Sequence, residues 1–296
     1  MMLTLTPPKE FDYNLCFQFL KRSPKELLHT LYDKAVYKAI RIDTEVILFR
    51  VEEKNGLLII DFLNGKPTLS HQERVKQFVT EWFDLDTDLK PFYRMAQNDE
   101  ILGPLIKKYF GYRIVGQPDL FESLVWAVLG QQINLDFAYT LKQRFVEKFG
   151  DAIQWNGNTY YLFPSAEMVA RLTDADLLPL QFSRQKSNYC TGIAKAFAER
   201  IISKNQLTGL AFEEAKEKLM ALKGVGNWTA NYALMKTFRY PNAFPLEDAG
   251  LHNALKNQLG LAKKPGLDQI KKIFNNYSRW ESYATLYLWK SLESTS

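Results

Sequence analysis

The strand-forming patterns of this chain are confined to its first third, and this segregation restricts the folds that it can adopt. Three runs rich in β-branched and aromatic residues, at 36–42, 45–53 and 57–63, are separated by short turn signals, which predicts a meander of antiparallel strands. Helical patterns then follow one another, joined by Gly, Pro, Asn and Asp. We expect an α+β protein, with an N-terminal antiparallel sheet with helices (1–95) followed by an all-α region (96–296).

Local signals assign the elements around the meander and in the second region. The apolar run 13–20 is predicted to be a strand and 23–33 a short helix. An amphipathic helix is expected over 70–85, with Ser70 as its N-cap. In the second region, 118–149 has a helical pattern throughout.

The composition is that of a globular protein with a mild excess of positive charge. Hydrophobic residues make up 46% of the 296 residues and charged residues 24%, which excludes wholesale disorder. The apolar runs are far shorter than the roughly 20 residues that cross a bilayer, and the N-terminus lacks signal-peptide features. We therefore expect a cytoplasmic location and no membrane partner. The cysteines and histidines are scattered, which argues against zinc, and the net charge of +5 favours a polyanionic partner.

The most informative stretch, 219–238, reads LMALKGVGNWTANYALMKTF and has the pattern of a helix–hairpin–helix motif within 212–238. Glycines at 224 and 226 allow a turn with positive φ and the close approach of a phosphate. Asn227 is expected to cap the second helix, whose free N–H groups and dipole would face that phosphate. We predict that Gly224, Val225, Gly226 and Thr229 contact a DNA backbone, the alternative being a glycine-rich connection between packed helices.

The same turn has carbonyl groups that could hold a cation. The first helix of the motif ends near Met220, and the carbonyls of Met220, Lys223 and Val225 are expected to point into the turn. Such a set of oxygens suits a structural Na⁺ or K⁺ that further favours a phosphate. Beyond this ion, we expect no required cofactor.

An aspartate follows the motif at the start of the next helical pattern. Asp248, in FPLEDAGLHNAL (244–255), lies 22 residues after Gly226 and precedes an apolar helix at 249–259. An N-cap role is the common structural reading, and the helix dipole favours the carboxylate there. An ionised carboxylate beside a DNA-binding hairpin also suits chemistry with a cationic transition state, and the two roles are compatible. Glu247 is the adjacent alternative.

Four segments occur in an order that resembles the helix–hairpin–helix DNA glycosylase superfamily and, within it, the bacterial 3-methyladenine DNA glycosylase II family. They are GQQI (130–133), LKGVGNWTANY (222–232), FPLEDAGL (244–251) and SYATLYLW (282–289). The resemblance covers nearly the whole chain, since the N-terminal region resembles that family's TATA-binding-protein-like domain.

The resemblance implies a monofunctional DNA glycosylase that flips alkylated purines, of the 3-methyladenine and 7-methylguanine type, out of double-stranded DNA. Asp248 would stabilise positive charge on the sugar and orient water. Trp228, Tyr232 and Trp289 would line the base pocket, although aromatic residues on helices more often fill a core. Gln132 would occupy the gap left by the flipped base, the alternative being a buried glutamine at a helix start.

Two departures from the family pattern bear on activity. Members that also cut the strand carry a nucleophilic lysine where this chain has Trp228, which implies that an intact abasic site is left. Relatives often carry arginine where this chain has Glu281, which puts substrate range or affinity in doubt. We expect a monomer. The competing hypotheses are a non-enzymatic helix–hairpin–helix DNA-binding module and a glycosylase of the same fold for another base lesion.

Overall fold

A computed structural model describes residues 2–293 and contains one antiparallel sheet in its first third. The sheet order is β1-β5-β4-β3-β2, and each neighbouring pair is antiparallel. Its strands are β1 (Met2–Leu5), β2 (Thr30–Tyr32), β3 (Ala35–Ile42), β4 (Glu45–Lys54) and β5 (Leu57–Phe62). The predicted meander corresponds to β3, β4 and β5 and is confirmed, with Ile40 opposite Ile47 in the first hairpin.

Helices account for most of the remaining chain. In chain order they are α1 (Tyr13–Leu20), α2 (Leu69–Trp82), α3 (Lys90–Ala96), α4 (Leu102–Lys108), α5 (Leu120–Gly130), α6 (Leu135–Phe149), α7 (Ala166–Val169), α8 (Asp174–Leu177), α9 (Arg184–Ala198), α10 (Lys204–Leu207), α11 (Phe212–Met220), α12 (Asn227–Ala233), α13 (Ala249–Gln258), α14 (Leu267–Phe274) and α15 (Glu281–Leu292). A small hairpin of β6 (Ala152–Trp155) and β7 (Asn158–Tyr161) interrupts the helical region. The predicted α+β class is confirmed. Within residues 2–293, no helix is long and apolar enough to span a bilayer.

Two predictions near the N-terminus are wrong. The run 13–20 is helix α1 rather than a strand, because Asp12 caps it by accepting the Leu15 N–H at 2.9 Å and its buried residues recur at helical spacing. The stretch 23–33 is not a helix. Its polar side chains bind nearby backbone or distant residues instead: Glu26 accepts the Leu28 N–H and binds Lys142 across 116 residues.

Two predicted boundaries also shift. Helix α2 begins at Leu69 and is capped by Thr68, whose hydroxyl accepts the His71 N–H at 3.2 Å, so Ser70 lies inside the first turn. The helical pattern over 118–149 breaks into α5 and α6, since Asn134 caps the second helix and the residues before it form a loop. That loop contains part of the candidate site.

One continuous hydrophobic core joins the sheet to the helices. At the junction, Asp84 is buried and accepts hydrogen bonds from the hydroxyls of Thr87, at 2.6 Å, and Tyr283 of α15. The fully buried Arg113 donates to the carbonyls of Asp84 and Thr87 at 2.6 and 2.8 Å. These bonds anchor the end of α2 to the last helix and hold the N-terminal region against the helical one.

Candidate active site

The helix–hairpin–helix motif consists of α11, a tight turn and α12. Gly224 has φ +93°, and a Cβ added there would overlap the ring of Tyr189, so both conformation and space require glycine. Gly226 has φ −88° and is itself the N-cap of α12, with open space around the position of a Cβ. The prediction of a positive φ is therefore confirmed at Gly224 and wrong at Gly226, and the prediction of Asn227 as the cap is wrong. The open space at Gly226 is what a closely approaching phosphate requires.

The start of α12 presents backbone donors to the turn. Within residues 2–293, the N–H groups of 226–229 donate to no backbone or side-chain acceptor, as is usual for the first turn of a helix. Val225 differs, because its N–H donates to the Leu222 carbonyl at 3.0 Å and its side chain is buried. Thr229 is 2% exposed and its hydroxyl accepts from Gln131, so its side chain is not available to a ligand.

The loop between α5 and α6 lies against this hairpin. Gln132 is exposed and has φ +57°, which excludes the alternative of a buried glutamine at a helix start. Its neighbour Gln131 donates from Nε2 to the Gly224 carbonyl at 3.1 Å and to the Thr229 hydroxyl at 3.0 Å. Gln131 therefore connects the loop directly to the hairpin turn, a role that the sequence analysis missed although the residue is part of GQQI.

Helix α9 supports both the loop and the hairpin. Lys186 Nζ donates to the carbonyls of Val128, Leu129 and Gln131 at 2.9, 2.9 and 2.7 Å, and burial lowers the pKa of its ammonium group. A cation at the carbonyl end of α5 is also favoured by the helix dipole. Sequence reasoning missed Lys186, which is separated from α5 by more than 50 residues.

Asp248 caps α13 and receives two further hydrogen bonds. Its Oδ1 accepts the Leu251 N–H at 2.7 Å and the Trp289 Nε1–H at 2.8 Å, while its Oδ2 accepts the Trp228 Nε1–H at 3.0 Å. No ion pair with Asp248 forms in the part of the chain that the structure describes. Neutral donors therefore orient the half-buried carboxylate without cancelling its charge. Glu247 is exposed and accepts instead from Asn227 Nδ2 at 2.9 Å.

The predicted pocket aromatics lie together beside Asp248. Trp228 stacks on Tyr232, with ring centroids 5.4 Å apart and planes at 24°. The ring centroids of Trp289 and Tyr232 are 6.5 Å apart. Trp126 Nε1 donates to the Tyr232 hydroxyl at 3.0 Å, and the Trp126 ring packs 4.8 Å from Tyr139. Trp228 and Trp289 are only partly buried, whereas the other three rings are buried. The cluster thus has both an accessible rim and a buried floor, and Tyr139 is a member that sequence reasoning missed.

The structure also bears on the predicted carbonyl set of the hairpin and on Glu281. Among the described residues, the carbonyls of Met220, Lys223 and Val225 accept no hydrogen bond. Glu281 lies in the first turn of α15, where a helix dipole favours an acid. Its Oε2 is buried without a partner in residues 2–293, and burial raises the pKa of this carboxyl.

The fold, the hairpin and the aspartate define a class of protein, and comparison with known proteins agrees. Residues 125–279 match the model of the HhH-GPD superfamily of base excision DNA repair proteins, and 5–124 match the N-terminal domain of 8-oxoguanine DNA glycosylase. The chain belongs to the HhH-GPD superfamily.

Individual relatives place the chain within that superfamily. It is 42% identical to a DNA-3-methyladenine glycosylase of Bacillus subtilis, over 98% of this chain and 97% of the relative. Its structure is similar to that of a 3-methyladenine DNA glycosylase from Archaeoglobus fulgidus, with TM-score 0.83, 24% identity and 97% of both chains covered. It is also similar to the Schizosaccharomyces pombe 3-methyladenine DNA glycosylase bound to abasic DNA, with TM-score 0.57 and 25% identity over 67% of this chain and 94% of that one.

Proposed function

We propose that the protein is a monofunctional DNA glycosylase that hydrolyses the N-glycosidic bond of alkylated purines in double-stranded DNA and so begins base excision repair. The observation that carries the proposal is the Asp248 carboxylate, which two indole N–H groups and a helix N-terminus hold at the edge of an aromatic cluster. The name of the Bacillus subtilis relative, which aligns over almost the whole chain, supports the same reaction.

Different residues of the site would serve DNA binding and base flipping. The free N–H groups at the start of α12 and the open space at Gly226 would accept a phosphate without reading sequence. Gln132, exposed on its loop, would fill the gap left by the flipped nucleotide, and Gln131 would keep that loop in register with the hairpin. The carbonyls of Met220, Lys223 and Val225 would hold a structural Na⁺ or K⁺, since they have no other donor among the described residues.

Catalysis would depend on a negative charge that is already in position before the reaction starts. The rings of Trp228, Tyr232 and Trp289 offer π faces on which an electron-deficient alkylated base stacks favourably. As the bond to the base breaks, positive charge develops on the sugar and the uncompensated carboxylate of Asp248 stabilises it. The same carboxylate would orient the water that attacks C1′. An alkylated purine already carries positive charge and leaves without strong acid catalysis.

The proposal excludes strand cleavage by a lysine nucleophile. Trp228 stands where strand-cutting members of the resembled family carry lysine, and its indole donates to Asp248 instead. An indole forms no Schiff base with C1′, so hydrolysis would leave the abasic site intact. We further propose that the protein acts as a monomer in the cytoplasm, with double-stranded DNA as its partner.

The test of this function uses a duplex with one 7-methylguanine and a label on the damaged strand. We expect free base and an abasic strand that breaks only after alkali treatment, with no adduct trapped by borohydride. Direct strand breakage together with a borohydride-trapped adduct would contradict the monofunctional assignment. DNA binding without base release would favour a non-enzymatic binding module.

A further inference from the structure

A second polar feature lies at the floor of the aromatic cluster and is contributed by the N-terminal region. Arg22, two residues beyond the end of α1, lines a cavity together with Tyr139 and Tyr232 of the cluster. Its Nε donates to the Tyr139 hydroxyl, and its guanidinium lies 4.0 Å from the centre of the Phe19 ring. Arg22 is nevertheless an exposed residue as well as a lining residue of the cavity.

The charge of Arg22 has no counter-ion in the part of the chain that the structure describes. The two carboxylates that line the same cavity, Glu26 and Glu122, both bind Lys142, at 2.9 and 3.5 Å. Apart from the bond to Tyr139, the guanidinium N–H groups meet no acceptor within residues 2–293. Arginine offers five donors and no acceptor, so most of its donors remain available to a ligand.

Tyr232 connects this cation to the candidate active site. Its ring stacks on Trp228, whose indole binds Asp248, and the same tyrosine lines the cavity with Arg22. Asp248 and Arg22 therefore border the same aromatic cluster, Asp248 through Trp228 and Trp289 and Arg22 through Tyr139. A purine whose C1′ lies at Asp248 and whose ring stacks on the cluster would direct its six-membered ring toward Arg22.

We propose that Arg22 recognises an oxygen at C6 of the flipped purine and selectively speeds the release of 6-oxopurines, such as 7-methylguanine and hypoxanthine, without aiding the release of 6-aminopurines such as 3-methyladenine. This inference rests on the proposed glycosylase function. A carbonyl oxygen accepts from guanidinium N–H groups, as O6 of guanine does in DNA recognition. An amino group at C6 would instead place its N–H donors against the N–H donors of the Arg22 guanidinium.

The position of Arg22 also suits the bond-breaking step for a purine without alkylation. When the C1′–N9 bond breaks, its electron pair passes into the purine ring and is delocalised onto O6, where the guanidinium stabilises it. Water oxygen bonds to C1′, and its proton is transferred through solvent to the departed base. The release of a neutral base such as hypoxanthine would be accelerated most by Arg22, because no alkyl group has already made this base a good leaving group.

The test compares single-turnover base release from three substrates. These are a duplex with hypoxanthine, a duplex with 7-methylguanine, and methylated DNA from which 3-methyladenine is measured. Arg22→Met should slow release of both 6-oxopurines by about 10- to 100-fold, the range for losing a hydrogen bond to a charged group, with hypoxanthine affected most. Release of 3-methyladenine should stay near the wild-type rate or increase.

Two matched variants keep the test decisive. Lys25→Met removes a positive charge from the same segment, where Lys25 pairs with Asp136 at 2.6 Å outside the cavity, and should leave all three rates unchanged. Arg22→Gln keeps amide donors without the charge and should give intermediate losses, which covers the case in which Arg22→Met does not fold.

Two results would overturn the inference. One is equal loss on all three substrates in the Arg22 variants, and the other is a wild-type enzyme that releases 3-methyladenine but neither 6-oxopurine. If the wild type releases no purine from any substrate, the glycosylase proposal itself fails, and the two failures are therefore distinguishable.

Discussion

Partly buried carboxylates lie at two places beside the aromatic cluster, and their bonding partners differ. Glu26 and Glu122, at the junction with the N-terminal region, share the ammonium group of Lys142. Asp248, at the second place, is held by three neutral N–H groups. The first arrangement pairs the carboxylates with a cation at the junction, and the second gives the carboxylate only neutral donors where a cation is expected to form.

The pKa values of Glu26 and Lys142 show how strongly these two groups interact at the junction. Burial opposes the ionisation of Glu26, but the attraction of Lys142 outweighs it and lowers the pKa of the carboxyl to about 2. For Lys142, burial opposes the charge and the two carboxylates again outweigh it, so the pKa of the ammonium group is raised. Each group therefore favours the ionised form of the other.

The largest effect on stability is predicted for Lys142→Met. It leaves two carboxylates without a counter-ion, which costs about 3–5 kcal/mol of unfolding free energy at pH 7. In the wild type, the depressed pKa of Glu26 contributes stability above about pH 4.3, its unfolded value, and this is lost as the pH falls toward 2. In the variant, unpaired buried carboxylates gain stability on protonation, so the gap between the two proteins should narrow in acid.

Denaturant unfolding of the wild type and of Lys142→Met between pH 7 and pH 3 measures the difference in their unfolding free energies. Lys25→Met serves as the control, because Lys25 pairs with the exposed Asp136 and should cost little. A deficit for Lys142→Met that stays constant with pH would contradict the account of the junction.

A smaller effect, on catalysis rather than stability, is predicted for Trp228→Phe. The change keeps a ring on Tyr232 but removes the N–H that donates to Asp248 Oδ2. A hydrogen bond to a charged group contributes about 1.5–3 kcal/mol, so the single-turnover rate of base release should fall by roughly 10- to 100-fold. Binding to a duplex with an abasic-site analogue should change little.

Trp126→Phe is the matched control for that measurement. It removes an indole N–H from the same cluster, but one that donates to the Tyr232 hydroxyl rather than to Asp248. Equal losses of rate in the two variants would show that the cluster as a whole, and not the bond to the carboxylate, sets the rate.

Much of the fold and the position of Asp248 could be predicted because their signals are local. The meander follows from alternating residues and turns, and the cap at Asp248 from an aspartate before an apolar run. The errors at 13–20 and 23–33 arise where a single cap or a distant ion pair decides the conformation. Residue pattern alone did not show these partners.

The missed site residues have long-range partners. Arg22 meets Tyr139 across 117 residues, and Gln131 meets Gly224 across 93. Such pairs become apparent only when helices from distant parts of the chain pack together. The proposed roles of Gln132, Tyr232 and Trp289 rest on their placement in the site and on the resemblance, and remain predictions.

The most direct test of the account measures free bases released from methylated genomic DNA by the wild type and by Asp248→Asn, resolved by chromatography. Asparagine caps helices as well as aspartate does, so the variant keeps the start of α13 but loses the charge and one of the two oxygens that accept indole N–H groups. We predict release of alkylated purines by the wild type, a loss of at least about 10³-fold in the variant, and retained binding to abasic-site duplexes. An Asn variant that releases bases at the wild-type rate would contradict the central role of the Asp248 charge.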